Sequence, residues 1–397
     1  MSGPRLGAAA LMASLLGCFS GESTLGASCR EHADCGAELG CTNEVCGRCG
    51  DGLAQRGELC LVSAAEVFGA PPMTGELRAG DLDGDATPEL LVRGADGSPQ
   101  VWARDGDGWS VLQALSGGGL RGPLRFSLLD DDERLDVVAV DEDALAVSLG
   151  FGDGTSWAFG AATMSTSPMV DLAVADAGSW AGPAWLSWVD AEGLRQAVVD
   201  VASRTLAEPV SLEASGTWWV SEAAPLDADD ALDLAVVDGE ARQLWIWLGD
   251  GGGGLVKGEP LVLEQRPAEV VATDVDGDGD FDLLVPDEDG GVTVLVGDGE
   301  GHFVATERVE ASGRVRAVVV ADLDRSTERD LVVLTDAEPA LWVFLARGSR
   351  HPDGIALPVE GAVGSLVAVD FDRDGLTEVL LGPAQGVGAL RVLEVEP

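Results

Sequence analysis

Asp274, Asp276, Asp278 and Asp282 stand at positions 1, 3, 5 and 9 of one short stretch, with Gly277 and Gly279 at positions 4 and 6. Glycines at those places let the backbone curl and turn several oxygens toward one point, an arrangement that suits a hard divalent cation such as Ca2+. Without a cation, four carboxylates held so close repel one another and some are driven to protonate. A calcium loop between two helices carries its last acid at position 12, whereas here the acid falls at position 9 and opens an apolar run, Leu283 to Val285. The spacing therefore predicts a strand, a loop and a strand. The plainer alternative is an acidic turn without metal.

The stretch recurs seven times, starting at Asp81, Leu128, Asp176, Pro225, Asp274, Asp322 and Asp370, with 47 to 49 residues between starts. Asp81, Asp83, Asp85 and Glu89 form a nearly complete set, as do Asp370, Asp372, Asp374 and Glu378. Asp322, Asp324, Ser326 and Asp330 keep four oxygen donors, with a hydroxyl in place of one charge. The second copy keeps Asp130, Asp132 and Asp136 behind Leu128, and the fourth keeps Asp227, Asp229 and Asp233 behind Pro225; each is an impaired site or an acidic turn. In the third copy the equivalents are Asp176, Gly178, Trp180 and Ala184, a pattern that has lost its metal ligands.

A fixed period of this length belongs to an array or a propeller. In the fifth unit, Val270 to Thr273 precedes the loop, Leu283 to Val285 follows it, and Val292 to Val296 and Phe303 to Val309 come after glycine-rich turns. Four short strands in one unit is the content of a propeller blade. Equivalent third strands read as Ala144 to Leu149, Leu244 to Leu248, Leu341 to Leu345 and Leu390 to Val395. Only two strands follow the seventh loop, so Leu61 to Phe68 is expected to supply the missing outer strand and close the ring. The fold class is all-β: a seven-bladed β-propeller over 61–397.

These phased loops resemble those of FG-GAP/VCBS repeats, found in the propeller of integrin α subunits and in many bacterial surface proteins. The Phe-Gly and Gly-Ala-Pro signatures occur only as Phe151-Gly152 and Gly69-Ala70-Pro71. The resemblance implies calcium in the loops and a role in adhesion or binding.

At the N-terminus, Arg5, the apolar run Leu6 to Leu16 and Gly17-Cys18 make a short signal peptide over 1–17, too short to be retained as a spanning helix. Leu15-Leu16-Gly17-Cys18 resembles a bacterial lipobox, which implies lipidation of Cys18 and a place in the outer membrane or at the cell surface; simple secretion is the alternative. Residues 18–28 read as a tether. Cys29, Cys35, Cys41, Cys46, Cys49 and Cys60 crowd into 29–60, and no cysteine follows. An even, dense cluster in an exported chain predicts about three disulfides stapling a small module, with the pairing open. The CxxC of Cys46 and Cys49 leaves zinc as the rival.

A net charge of -45 argues against nucleic acid or an anionic membrane as partner, so membrane contact is expected only through the lipid. No catalytic constellation stands out. His32, His302 and His351 lack a nucleophile or metal-ligand pattern and read as solvated turn residues. Trp245, Trp247 and Trp342 fall on third strands and read as packing, while Trp180, Trp185, Trp188, Trp218 and Trp219 form a candidate aromatic platform for sugar rings. The expected function is a non-enzymatic, calcium-stabilised binding or adhesion scaffold for an extracellular protein or glycan, with a lectin or, further off, a polysaccharide lyase as alternatives.

Overall fold

The computed structural model describes residues 40–42, 45–47, 61–66, 70 and 72–395, except 83–86, 106–107, 116–123, 131, 133, 142–145, 154–156, 165–166, 170, 178–181, 215, 222, 324–327, 338–339, 347–349, 352–353, 358, 360–362, 371–376 and 385–387. The signal segment, the tether, Cys18, Cys29, Cys35, Cys49 and Cys60 lie outside the described residues, as do Asp83, Asp85, Asp324, Ser326, Asp372, Asp374, Gly178 and Trp180. Two compact units are present, Met1–Val62 with Val395–Pro397, and Ser63–Glu394. Within the first, Gly40–Thr42 and Val45–Gly47 pair antiparallel with the Cα of Cys41 opposite that of Cys46.

The second unit is a seven-bladed propeller of antiparallel sheets. Blades 1 to 6 begin at Met73, Leu124, Asp171, Trp218, Val271 and Val315, and each runs from its first strand to its fourth in sequence order. The seventh sheet orders its strands Leu61–Glu66, Arg391–Val395, Glu378–Pro383, Val363–Val369, so the segment expected to close the ring is its outer strand. Met73 and Gly388 exchange backbone hydrogen bonds of 3.0 and 2.9 Å and fasten blade 7 to blade 1. In blades 2, 3 and 4 the outer strand is broken into two pieces that both pair with the third strand.

Burial explains which sequences occupy which strand. Second strands such as Glu89–Gly94, Asp136–Asp141 and Asp330–Thr335 are buried at every residue, because neighbouring blades cover both faces of each sheet. They accordingly read as continuous runs of Val and Leu rather than as alternating patterns. Outer strands such as Phe303–Glu310 are largely exposed. The apolar cores lie between blades: Leu129, Val138, Leu172 and Trp188 pack between blades 2 and 3, and Val292, Val309, Val318 and Val333 between blades 5 and 6.

This packing corrects the reading of the tryptophans. Trp188 belongs to the core between blades 2 and 3, Trp185 and Trp218 to that between blades 3 and 4, and Trp219 packs against that between blades 4 and 5. Four of the five expected platform residues are thus divided among three interiors, since successive side chains on a strand leave by opposite faces. His351 is also not a solvated turn residue. It is buried, its Nδ1 lies 2.6 Å from Glu307 Oε1, and its Nε2 lies 2.7 Å from the Arg329 carbonyl oxygen. His302 is exposed, as expected, and His32 is outside the described residues.

Candidate metal-binding loops

Every acidic loop joins the first strand of a blade to the second, so all seven fall at one end of the strands. The ninth position is where the second strand begins, and it is the structural anchor of the loop. In blade 5, Val275 N–H donates to Asp282 Oδ2 at 2.7 Å, and Gly297 N–H, at the end of the third strand, donates to Oδ1 at 2.9 Å. The same two-sided bridge recurs at Asp136 with Leu129 and Gly152, at Asp233 with Leu226 and Gly249, and at Asp330 with Leu323 and Ala346, all between 2.7 and 2.9 Å. Glu89 accepts from Leu82 N–H at 2.8 Å in blade 1. These five carboxylates are buried. A buried acid at this place satisfies amides that the turn would otherwise strand.

In blade 5, Asp274, Asp276 and Asp282 each bring one carboxylate oxygen into a group whose members all lie within 4.8 Å of one another. Backbone amides hold them there: Gly277 N–H donates to Asp274 Oδ1 at 2.7 Å and Asp278 N–H to Asp276 Oδ1 at 3.3 Å. Gly277 and Gly279 adopt φ of 79° and 98°, the left-handed conformation for which glycine was expected there. Asp278 is not in the group; its Oδ1 accepts from Asp280 N–H at 2.9 Å.

The fourth copy behaves like the fifth. Asp227, Asp229 and Asp233 converge within the same 4.8 Å although Pro225 occupies the first position. In the second copy Asp130, Asp132 and Asp136 share the loop's hydrogen-bond pattern but do not converge in this way. In the third, Ala184 is buried where the anchor acid would stand, and Asp176 Oδ1 instead accepts from Ser127 Oγ–H and from Leu128 N–H of blade 2. Of the other expected ligands, Asp81, Glu89, Asp322, Asp330, Asp370 and Glu378 are described, each at the end of its loop.

The electrostatics follow from this crowding. Burial pushes the Asp136 carboxyl up to about 7, partly offset by its two amide donors, with Asp130 and Asp132 adding to the rise. Asp233 is pushed up to about 6 by burial, and Asp227 and Asp229 contribute. Asp282 and Asp276 are raised as well, first by burial and then by neighbouring carboxylates. Loops that favour protons over bare charge would gain from a divalent cation for the same reason. The donor set is all oxygen, which fits a hard cation rather than zinc.

A third acidic group was not singled out in the sequence. Asp298, Glu300 and His302, all exposed, lie on the turn between the third and fourth strands of blade 5. Asp298 Oδ1 accepts from Glu300 N–H at 2.9 Å and from His302 N–H at 3.2 Å; in blade 4, Asp250 Oδ1 accepts from Gly252 and Gly254 N–H, both at 2.8 Å. These amides hold both carboxyls below their ordinary range. The recurring Gly-Asp-Gly-x-Gly at 249–253 and 297–301 is the signal for this turn, and its acid is a backbone cap.

The profile described as FG-GAP-like repeat matches residues 225–285 and 274–333, which hold the fourth, fifth and sixth loops. No curated protein matches the chain. Solved structures share the fold: Sqt1 of Saccharomyces cerevisiae, at 11% identity with a TM-score of 0.54, covers 85% of this chain and 100% of its own. A lectin of Agrocybe aegerita that recognises non-reducing terminal N-acetylglucosamine shows 17% identity and a TM-score of 0.52 over 79% of this chain and 86% of its own. Virginiamycin B lyase from Staphylococcus aureus shows 9% identity and a TM-score of 0.52 over 84% and 99%. At these identities the likeness is one of fold. The chain is a seven-bladed β-propeller carrying FG-GAP-like repeats.

Proposed function

We propose that this protein is a calcium-stabilised, non-enzymatic binding or adhesion scaffold, anchored through a lipid on Cys18 at the outer membrane or cell surface. The observation that carries the metal reading is the convergence of Asp274, Asp276 and Asp282 within 4.8 Å in a loop whose amides already hold them. Calcium there would neutralise the loop and hold the first and second strands of the metal-bearing blades in register, leaving the propeller surface to bind an extracellular protein or glycan. The full ligand sets are Asp81, Asp83, Asp85 and Glu89; Asp274, Asp276, Asp278 and Asp282; Asp322, Asp324, Ser326 and Asp330; and Asp370, Asp372, Asp374 and Glu378. Asp227, Asp229 and Asp233 are added from the geometry of blade 4.

Calorimetry on purified protein stripped with EDTA tests this. Calcium binding at micromolar to millimolar concentration is expected, and its absence would leave the loops as acidic turns. The lectin reading draws on fold likeness to the Agrocybe aegerita protein, but its aromatic platform is dispersed among three interiors. Anchoring is tested separately: Cys18→Ala should release the protein from the membrane fraction, and wild type that takes up no palmitate analogue would overturn it.

A further inference from the structure

Of the 24 Lys and Arg residues in the chain, 23 are arginine and Lys257 is the only lysine. It ends the strand Leu255–Lys257 of blade 4, with its Cα opposite that of Trp247. Trp245 stands two residues before Trp247 on the strand Gln243–Gly249, and Trp218 is opposite Asp238, which is itself opposite Gln243. Residues in register and residues two apart share a face, so Lys257 and the three indoles all project toward blade 3.

There they form a box. The Lys257 ammonium lies 3.7 Å from the centre of the Trp245 ring, 5.4 Å from that of Trp247 and 6.0 Å from that of Trp218. Glu213, on the outer strand Val210–Glu213 of blade 3, closes the box with an ion pair. Trp218 and Trp247 are more than nine-tenths buried, and the buried indole N–H groups of all three tryptophans have no hydrogen-bond partner among the described residues. The Lys257 and Glu213 side chains stay 28% and 29% exposed, so the box opens at the cleft between the two blades.

Packing alone does not account for this composition. Leucine or phenylalanine would fill the space without burying three unpartnered donors, a cost set here against the contacts the ring faces make with a cation. Three electron-rich ring faces and one carboxylate around a single point are the chemistry of organic-cation recognition. The choice of cation agrees: a guanidinium is planar and seeks flat, two-pronged partners, whereas a box of ring faces admits a compact ammonium. The one lysine of the chain sits in this box.

We propose that the Trp218, Trp245, Trp247 and Glu213 box is a binding site for alkylammonium groups, with Lys257 as its tethered occupant. A quaternary ammonium or an amine side chain of a partner would enter by displacing the Lys257 ammonium, and the net charge of -45 would concentrate such cations around the protein. The tether gives Lys257 the advantage of local concentration, so the free ligand meets a site that is usually filled. This proposal is independent of calcium, and choline binding measured in EDTA separates its failure from that of the metal reading.

The test uses the full chain and choline chloride. Lys257→Ala should bind choline with a dissociation constant of about 1 mM or below, and wild type about tenfold or more weakly because its occupant must first leave. Adding Trp245→Ala to Lys257→Ala should abolish binding, and the neutral isostere 3,3-dimethylbutan-1-ol should not bind. A cooperatively folded Lys257→Ala that ignores choline, or that takes the neutral isostere equally well, overturns the proposal. Should Lys257→Ala not fold, reductive methylation of the wild type with 13C-formaldehyde labels this single lysine. Its methyl resonance should lie upfield under the indole rings and move toward the free position as choline is added; a resonance that choline leaves in place also overturns the proposal.

Discussion

Asp282 and Gly297 are joined by a 2.9 Å hydrogen bond from the glycine amide to Oδ1, which ties the start of the second strand of blade 5 to the end of the third. The other oxygen of the same carboxylate holds the loop through Val275 N–H. Asp282 is therefore needed by the fold whether or not metal is bound, a role distinct from that of the exposed Asp278.

Asp282→Ala should cost about 2 to 5 kcal/mol in EDTA, because two buried amides lose their acceptor. Asp278→Ala should stay within about 0.5 kcal/mol under the same conditions, as exposed substitutions do. Urea denaturation of both variants without metal distinguishes an anchor from a ligand, and equal losses would refute the distinction.

The raised carboxyls set a pH dependence with a definite sign. Asp136 at about 7 and Asp233 at about 6 hold their protons in the folded protein well above the ordinary 3.8, so folding takes up protons between those limits. Their contribution is fully present below about pH 4 and is lost as pH rises through 6 and 7. Metal-free protein should accordingly melt about 5 °C or more lower at pH 8 than at pH 5. Saturating calcium should remove much of that difference; scanning calorimetry at the two pH values, with EDTA and with calcium, provides the check.

The ring was legible because its signals repeat. Acid loops phased along the chain located the first and second strands of the blades, and the count of strands after Asp370 pointed to Leu61 to Phe68 for the closing strand, which the structure has at Leu61–Glu66. The tryptophan platform failed for a reason also present in the sequence. Trp218 and Trp219 are adjacent on one strand and Trp185 and Trp188 are three apart on another, so each pair must divide between opposite faces. The contact between His351 and Glu307 was not legible, since 44 residues separate them and only the packing of blade 5 against blade 6 brings them together. Nor could spacing alone show that the ninth acid anchors backbone, because ligand and anchor require the same residue at the same place.

His351 carries a prediction of its own. Its Nε2 faces a carbonyl oxygen and must donate, while Nδ1 and the His351 amide both face the Glu307 carboxylate, at 2.6 and 3.0 Å. His351→Leu keeps the apolar bulk and the backbone amide but removes the imidazole from a mostly buried carboxylate and from the Arg329 carbonyl oxygen, and should cost about 2 to 4 kcal/mol. Glu307→Gln retains an acceptor and should cost less. Denaturant midpoints of the two variants in the same buffer decide this, and a neutral His351→Leu would show the contact to be incidental.

Calcium provides the last prediction, and the structure sharpens the grading of the loops. Asp276 belongs to a converged group and Asp130 does not, so Asp276→Ala should lower calcium affinity and calcium-dependent melting temperature more than Asp130→Ala. Asp229→Ala should resemble Asp276→Ala, because Asp229 converges with Asp227 and Asp233 even though Pro225 has replaced the first acid. Each site bound only in the folded state stabilises by about 2.7 kcal/mol at a hundredfold excess of calcium over its dissociation constant. Chelation of wild type should therefore lower the melting temperature by many degrees, with each of these two variants losing part of that response. A result in which Asp130→Ala and Asp276→Ala lose equal amounts would mean that convergence of the carboxylates does not determine where the metal binds.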